Sequence, residues 1–148
     1  MEKTKFYNLL KQQAQGLLQG ESDFIANAAN LTSLLYHSLE NVNWVGFYLL
    51  QGDELVLGPF QGQVACTRIP LGQGVCGTAF SQNKTLRIED VNAFKGHIAC
   101  DSASQSEIVI PLKRLGVLDI DSPILNRFDV EDQKGCESIA DIFLKSII

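Results

Sequence analysis

The spacing of apolar residues changes period twice along this chain, and those two changes bound what it can fold into. Lys3–Leu18 carries Phe6, Leu9, Leu10, Leu17 and Leu18 at helical spacing, with Gly20 as the stop. A second helix is predicted over residues 23–39, with Ser22 as its cap and Phe24, Ile25, Ala28, Leu31, Leu34 and Leu35 as its apolar stripe. From Asn43 the pattern switches to two-residue alternation. Residues 43–50 and 55–60 read as strands joined by the turn Gln51-Gly-Asp-Glu54, a hairpin. At Asp129, a capping residue, the helical period returns and runs to about Ile148, with Cys136, Ile139, Ile142, Phe143 and Ile147 on the buried side.

The middle of the chain is built from shorter pieces. Residues 63–70 look extended and carry Cys66, and a glycine-rich turn holding Cys76 leads into a short helix over residues 78–82. A short strand at 85–88 precedes a long polar connection, 89–106, which holds His97 and Cys100. Residues 106–112 and 115–120 are strands again. Only Lys113-Arg114 separates them, with no Gly, Asn or Asp to supply a positive φ, so the turn is strained or longer than drawn. Helices at both ends around hairpin strands predict an α+β fold with a central antiparallel sheet, in a single domain spanning 1–148.

A chain of 148 residues buries about two-thirds of its unfolded surface and needs no disulfide or metal to hold its fold. The net charge of −5, with no basic cluster, argues against nucleic acid and anionic membrane as partners. No apolar run approaches the ~18 residues of a membrane span, and Met1-Glu-Lys-Thr-Lys5 lacks an apolar signal core. The expected compartment is therefore the cytoplasm, where cysteines are reduced, metal-bound or catalytic more often than structural disulfides. Zinc is disfavoured, because no Cys-x-x-Cys or His-x(3–5)-His spacing occurs and His37 and His97 are far apart. No metal or cofactor is expected.

Three thiols, Cys66, Cys76 and Cys100, fall in polar, glycine-flanked segments that read as exposed loops, an arrangement suited to redox or nucleophilic work. His97 precedes Cys100 by three residues and would lower its thiol pKa if the loop coiled back. Cys136, on an apolar helical stripe, reads as packing. In the strand 43–50, alternation puts Val45, Phe47 and Leu49 on one face and Trp44, Gly46 and Tyr48 on the other. The second set leaves room over the glycine for a ligand between two rings; packing beneath a loop would use the same residues. Asp119 and Asp121 share a face of a strand inside an apolar run, with Glu107 opening the partner strand. Such carboxylates resist burial unless a cation compensates them, and a ligand ammonium would do so. The alternative is a strand end emerging into solvent at Ser122-Pro123.

These residues also resemble a known pattern. Gly74-Val-Cys-Gly-Thr-Ala79, Ile88-Glu-Asp-Val91 and Gly116-Val-Leu-Asp-Ile-Asp121 resemble the GAF domain. The strings Asn43-Trp-Val-Gly-Phe-Tyr48, Leu57-Gly-Pro-Phe-Gln-Gly62, Ala65-Cys-Thr-Arg-Ile-Pro70, Gly96-His-Ile-Ala-Cys-Asp-Ser-Ala-Ser104 and Ser106-Glu-Ile-Val109 are similar to one branch of it, the free methionine-(R)-sulfoxide reductases. The resemblance spans the chain from the second helix to the last. The family pattern is a few residues longer between Leu112 and Leu115.

The resemblance implies a GAF-like fold with the terminal helices on one face of the sheet and active-site loops on the other. It implies Cys100 as the catalytic cysteine, Cys66 as the main resolving cysteine and Cys76 as a third thiol of variable role. Trp44 and Tyr48 would form the aromatic pocket, with Glu107, Asp119 and Asp121 as acidic ligands of the substrate, free methionine (R)-sulfoxide. Cys100 would attack the sulfoxide sulfur while Glu107 or Asp121 supplies a proton to the oxygen. The resulting sulfenic acid would condense with Cys66, and a thioredoxin-type reductant would restore the thiols. GAF relatives commonly pair through terminal helices, so the resemblance allows a homodimer, and the sequence does not settle the oligomeric state. A non-catalytic small-molecule-binding GAF module and a peroxide-responsive thiol sensor remain as alternatives; only the reductase consumes the free R epimer.

Overall fold

The computed structural model describes residues 1–98, 100 and 103–148. Two helices lead, α1 (Lys3–Leu18) and α2 (Phe24–Ser38). The hairpin β1 (Trp44–Gln51) and β2 (Glu54–Gly62) follows, then β3 (Arg68–Pro70), α3 (Gly74–Gln82) and β4 (Leu86–Ile88). A single 3₁₀ turn, Val91–Ala93, precedes the second hairpin, β5 (Ser106–Pro111) and β6 (Gly116–Ser122), and α4 (Val130–Ser146) closes the chain. The six strands form one antiparallel sheet in the order β3-β2-β1-β6-β5-β4.

The sheet has two differently covered faces. Val45 and Phe47 of β1, Ile108 and Ile110 of β5, and Leu118 and Ile120 of β6 pack against α1, α2 and α4 in the main core. Trp44, Tyr48, Val109 and Val117 point the other way, into a smaller cluster completed by Val75, Cys76 and Ala79 of α3. The alternation read from residues 43–50 is therefore the actual division of the sheet.

Local chemistry corrects several expectations. The cap of α2 is Asp23, whose carboxylate accepts from the Ala26 N–H, rather than Ser22; a carboxylate suits the positive end of a helix. Ile25 stands 69% exposed instead of joining the stripe. Only Arg68–Pro70 of the segment 63–70 is strand. The short helix begins at Gly74, four residues before the predicted start, so Cys76 lies in its first turn, buried, and not in an exposed loop. Asp129 does cap α4, in a reciprocal capping box with Asp132.

Asp132 also ties the termini together. Its buried carboxylate accepts from Tyr7 Oη at 2.7 Å, Lys3 Nζ at 2.6 Å and Arg127 Nη1 at 3.3 Å. Two cations and a phenol compensate one buried charge, which is the condition for such burial to be tolerated. Burial pushes the neighbouring Cys136 thiol up to about 12, so it stays protonated packing.

The Lys113-Arg114 join closes as a tight turn. The Leu115 N–H donates to the Leu112 carbonyl at 3.0 Å and the Leu112 N–H to the Gly116 carbonyl at 2.8 Å. Lys113 itself takes the left-handed conformation, φ 55°, a role normally given to Gly or Asn. Gly116 follows at φ 154°, where a Cβ would collide with the Tyr48 carbonyl oxygen of β1. Gly116→Ala is therefore expected to destabilise the protein by about 2–4 kcal/mol, combining backbone strain and overpacking. Urea unfolding measures this; a neutral substitution would contradict the close approach of β6 to β1.

Candidate active site

The register of three neighbouring strands assembles the site. Asp121 of β6 lies opposite Trp44 of β1 on one side and Glu107 of β5 on the other. Asp119 lies opposite Gly46 and Val109. Period two then keeps Trp44, Tyr48, Glu107, Asp119 and Asp121 on the face that α3 covers. A cavity of about 40 Å³ opens among them, bordered also by Cys76, His97, Cys100 and Ser104.

Cys66 and Cys100 are joined by a disulfide with a Cα–Cα distance of 5.3 Å. Both are half-buried, and the bridge brings the segment before β3 against the connection before β5. Of the string around Cys100, Ala99, Asp101 and Ser102 lie outside the described residues. Cys76 is free and 4% exposed, and its thiol donates toward Glu107 Oε2 at 4.0 Å.

The aromatic pair differs from its expected form. No open gap lies over Gly46: a Cβ there would strike the Trp44 indole and Phe60 Cβ. The indole instead stacks between Tyr48, at 5.8 Å between centroids, and Phe60, at 5.4 Å. Both polar tips reach the Cys66 segment. Trp44 Nε1 donates to the Gln63 carbonyl at 3.0 Å, and Tyr48 Oη donates to the carbonyl of Cys66 itself at 2.8 Å. The rings thus wall the cavity and anchor one half of the disulfide. Phe60 and Ser104 are site residues that sequence reasoning missed; Phe60 sat in a strand already explained by its hairpin, and Ser104 in a polar loop without a chemical signature.

The acids are held in an unfavourable medium. Glu107 and Asp119 are buried, Asp121 is half-buried, and none joins an ion pair found among the described residues. Burial pushes all three carboxyls well above the usual carboxylate range, and repulsion among them adds to it. Oδ1 of Asp119 and Oδ1 of Asp121 have no hydrogen-bond partner among the described residues. Burial, then the adjacent carboxylates, also raise the Cys76 thiol, so it is a poor nucleophile beside Cys100. Burial lowers His97, whose Nδ1 has no partner among the described residues, so the ring is neutral near pH 7.

The six-stranded antiparallel sheet with helices at both ends of the chain agrees with the comparisons. Residues 23–146 match the GAF domain model. The chain belongs to the GAF domain family. A free methionine-R-sulfoxide reductase of Escherichia coli (strain K12) is 54% identical over 143 residues, covering 94% of this chain and 87% of that protein. The structure of fRMsr of Staphylococcus aureus in complex with substrate has a TM-score of 0.92 at 51% identity, covering 96% of this chain and 95% of that one. The free methionine-R-sulfoxide reductase from Neisseria meningitidis in complex with its substrate gives 0.95 at 43% identity, covering 99% and 91%.

Two outcomes follow for this GAF domain. Tyr48→Phe keeps the ring and leaves the Cys66 carbonyl without its donor, so the oxidised protein should lose about 1 kcal/mol in urea unfolding; an unchanged midpoint would mean the hydrogen bond is idle. The second outcome concerns pH. With folded-state values raised, the three carboxyls retain protons that the unfolded chain releases from about pH 4, so stability falls as pH rises through the raised values. The slope reaches about 1.4 kcal/mol per pH unit for each proton retained. His97 opposes this near pH 6, so wild type is compared with Asp119→Asn, in which that contribution cancels. A flatter profile in Asp119→Asn is expected; identical slopes from pH 5 to 8 would contradict the shifts.

Proposed function

We propose that this GAF domain reduces free L-methionine (R)-S-oxide to L-methionine, with Cys100 as nucleophile, Cys66 as resolving thiol and the acid cluster as the seat of the substrate's ammonium group. The observation that carries the reading is the Cys66–Cys100 disulfide, whose Cys100 borders a cavity also lined by three carboxyls that join no ion pair among the described residues. The named relatives, two of them solved with substrate, support the same reaction.

The chemistry balances within those residues. The Cys100 thiolate attacks the sulfoxide sulfur, and a protonated carboxyl, Glu107 or Asp121, donates to the sulfoxide oxygen. The S–O bond breaks, oxygen passes to Cys100 as a sulfenic acid, and methionine sulfur gains two electrons. The Cys66 thiol then displaces that oxygen as water and closes the disulfide. A thioredoxin-type dithiol returns two electrons and two protons. Val64, 84% exposed and two residues from Cys66, offers that reductant an apolar surface beside the bridge. Cys76, kept as a thiol by burial and then by its acidic neighbours, stays out of the first attack.

The small cavity supports reading the disulfide form as the end of the cycle. A cavity of about 40 Å³ has room for a few waters, not for a free amino acid with a sulfoxide side chain. In this cycle substrate enters after the bridge opens, with Tyr48 and Trp44 hydrogen-bonded to the Cys66 segment. An ammonium group entering the acid cluster compensates its charge, which an uncharged peptide nitrogen does not.

Incubation with separated sulfoxide epimers, free and peptide-bound, tests the proposal: only the free R form should be consumed, and inertness toward it would overturn the reading. Cys100→Ser should abolish turnover. Cys66→Ser should complete one turnover and stall with Cys100 as a dimedone-reactive sulfenic acid; steady recycling of Cys66→Ser by thioredoxin would remove Cys66 from its role.

A further inference from the structure

Cys76 is the thiol of the cavity that the proposed cycle does not use, and its surroundings suit another ligand. Cys76 Sγ and one carboxylate oxygen each of Glu107 and Asp119 lie within 4.8 Å of one another. They come from α3, β5 and β6, so backbone pairing and helix packing hold them together. Asp119 is 5% exposed, lines the cavity, and keeps Oδ1 without a hydrogen-bond partner among the described residues. That orphaned oxygen, in a buried side chain, points to a missing positive ligand. One sulfur and two carboxylates form a donor set for a tetrahedral ion with an open fourth position. Metal binding would release the Cys76 proton to solvent, and the resulting thiolate favours soft cations, whereas magnesium and calcium require six or more oxygens. Bonds of about 2.0–2.3 Å to such an ion need the donors to close by roughly 1 Å, within reach of side-chain rotation. The cavity, about 40 Å³, accommodates an ion with a water even while the disulfide is closed.

We propose that Cys76, Glu107 and Asp119 bind a thiophilic divalent cation of the zinc class, which competes with the substrate ammonium for the same acids. The competition rests on the function proposed above; the cation site does not. Sequence spacing could not reveal it, because its donors are 31 and 12 residues apart along the chain. The ion is an inhibitor, not a partner in the redox steps, since it occupies the acids that would hold substrate and donate the proton.

The test uses cobalt(II) as a spectroscopic stand-in for zinc, titrated into the full chain with the Cys66–Cys100 disulfide intact. Cys76 and Cys136 are then the free thiols, and Cys136 lies in the main core on the opposite side of the sheet. A near-ultraviolet thiolate-to-cobalt band should grow to saturation at one equivalent and be discharged by zinc. Cys76→Ser and Cys76→Ala should both lose the band while keeping native circular dichroism, and Asp119→Asn should weaken binding roughly tenfold or more. Absence of the band in wild type, or its persistence in either Cys76 variant, would overturn the site. In protein carrying both Cys66→Ser and Cys100→Ser, free methionine should weaken zinc binding. Cys76-dependent zinc binding that methionine leaves untouched would sink the shared site and the substrate role of the acids, while the cation site itself would stand.

Discussion

The antiparallel register of β1, β6 and β5 is the constraint from which the site follows. It sets Asp121 between Trp44 and Glu107 and puts Asp119 beside Gly46. A slip of one residue in any of these pairings would turn the acids toward the helices and drive Ile108, Leu118 or Ile120 out of the main core. The apolar face therefore enforces the polar one. Burying the aliphatic half of each strand contributes the stability, and the same alternation carries three carboxyls into a place they would not choose.

Two buried acidic arrangements show how differently one fold treats carboxylates. Asp132 receives Lys3, Arg127 and Tyr7 and serves to join α1 to α4. Glu107, Asp119 and Asp121 receive no such partners among the described residues, where two of their oxygens make no hydrogen bond. An arrangement left this uncompensated lowers stability, so its retention makes physical sense when a cationic ligand completes it. The thiols show the same division of labour. Cys136 is packed and inert, Cys76 is buried among acids, and Cys66 and Cys100 occur in segments outside helices and strands, where a covalent bond can form and break.

Much of the fold was legible because it rests on local rules. Helical and alternating periods located both terminal helices and both hairpins, and Asp129 announced the last helix by its capping chemistry. Failures came where a tertiary contact overrode a local preference. Gly74 and Gly77 read as a turn, yet they lie in a helix packed so closely that a Cβ on Gly77 would meet the Pro70 carbonyl oxygen at about 2.5 Å. Lys113 adopts a left-handed backbone without Gly or Asn chemistry because the flanking strands fix the span it must close. Gly46 suggested a gap that the neighbouring indole fills. In the site, the shared face of Asp119 and Asp121 and the split of Trp44 from Phe47 could be read from alternation. The convergence of Cys66, Cys76 and Cys100 could not, since their segments meet only after the sheet has formed.

In the proposed cycle a charged amino group, held by Glu107, Asp119 and Asp121, selects the substrate that the Cys100 sulfur attacks. Comparing kcat/KM for free methionine (R)-sulfoxide with that for its N-acetyl derivative isolates this interaction, because acetylation removes the charge and leaves the sulfoxide intact. Loss of activity on the acetylated compound by roughly a thousandfold or more, the equivalent of about 4 kcal/mol of transition-state stabilisation, is the predicted result. Equal turnover of the two compounds would contradict it.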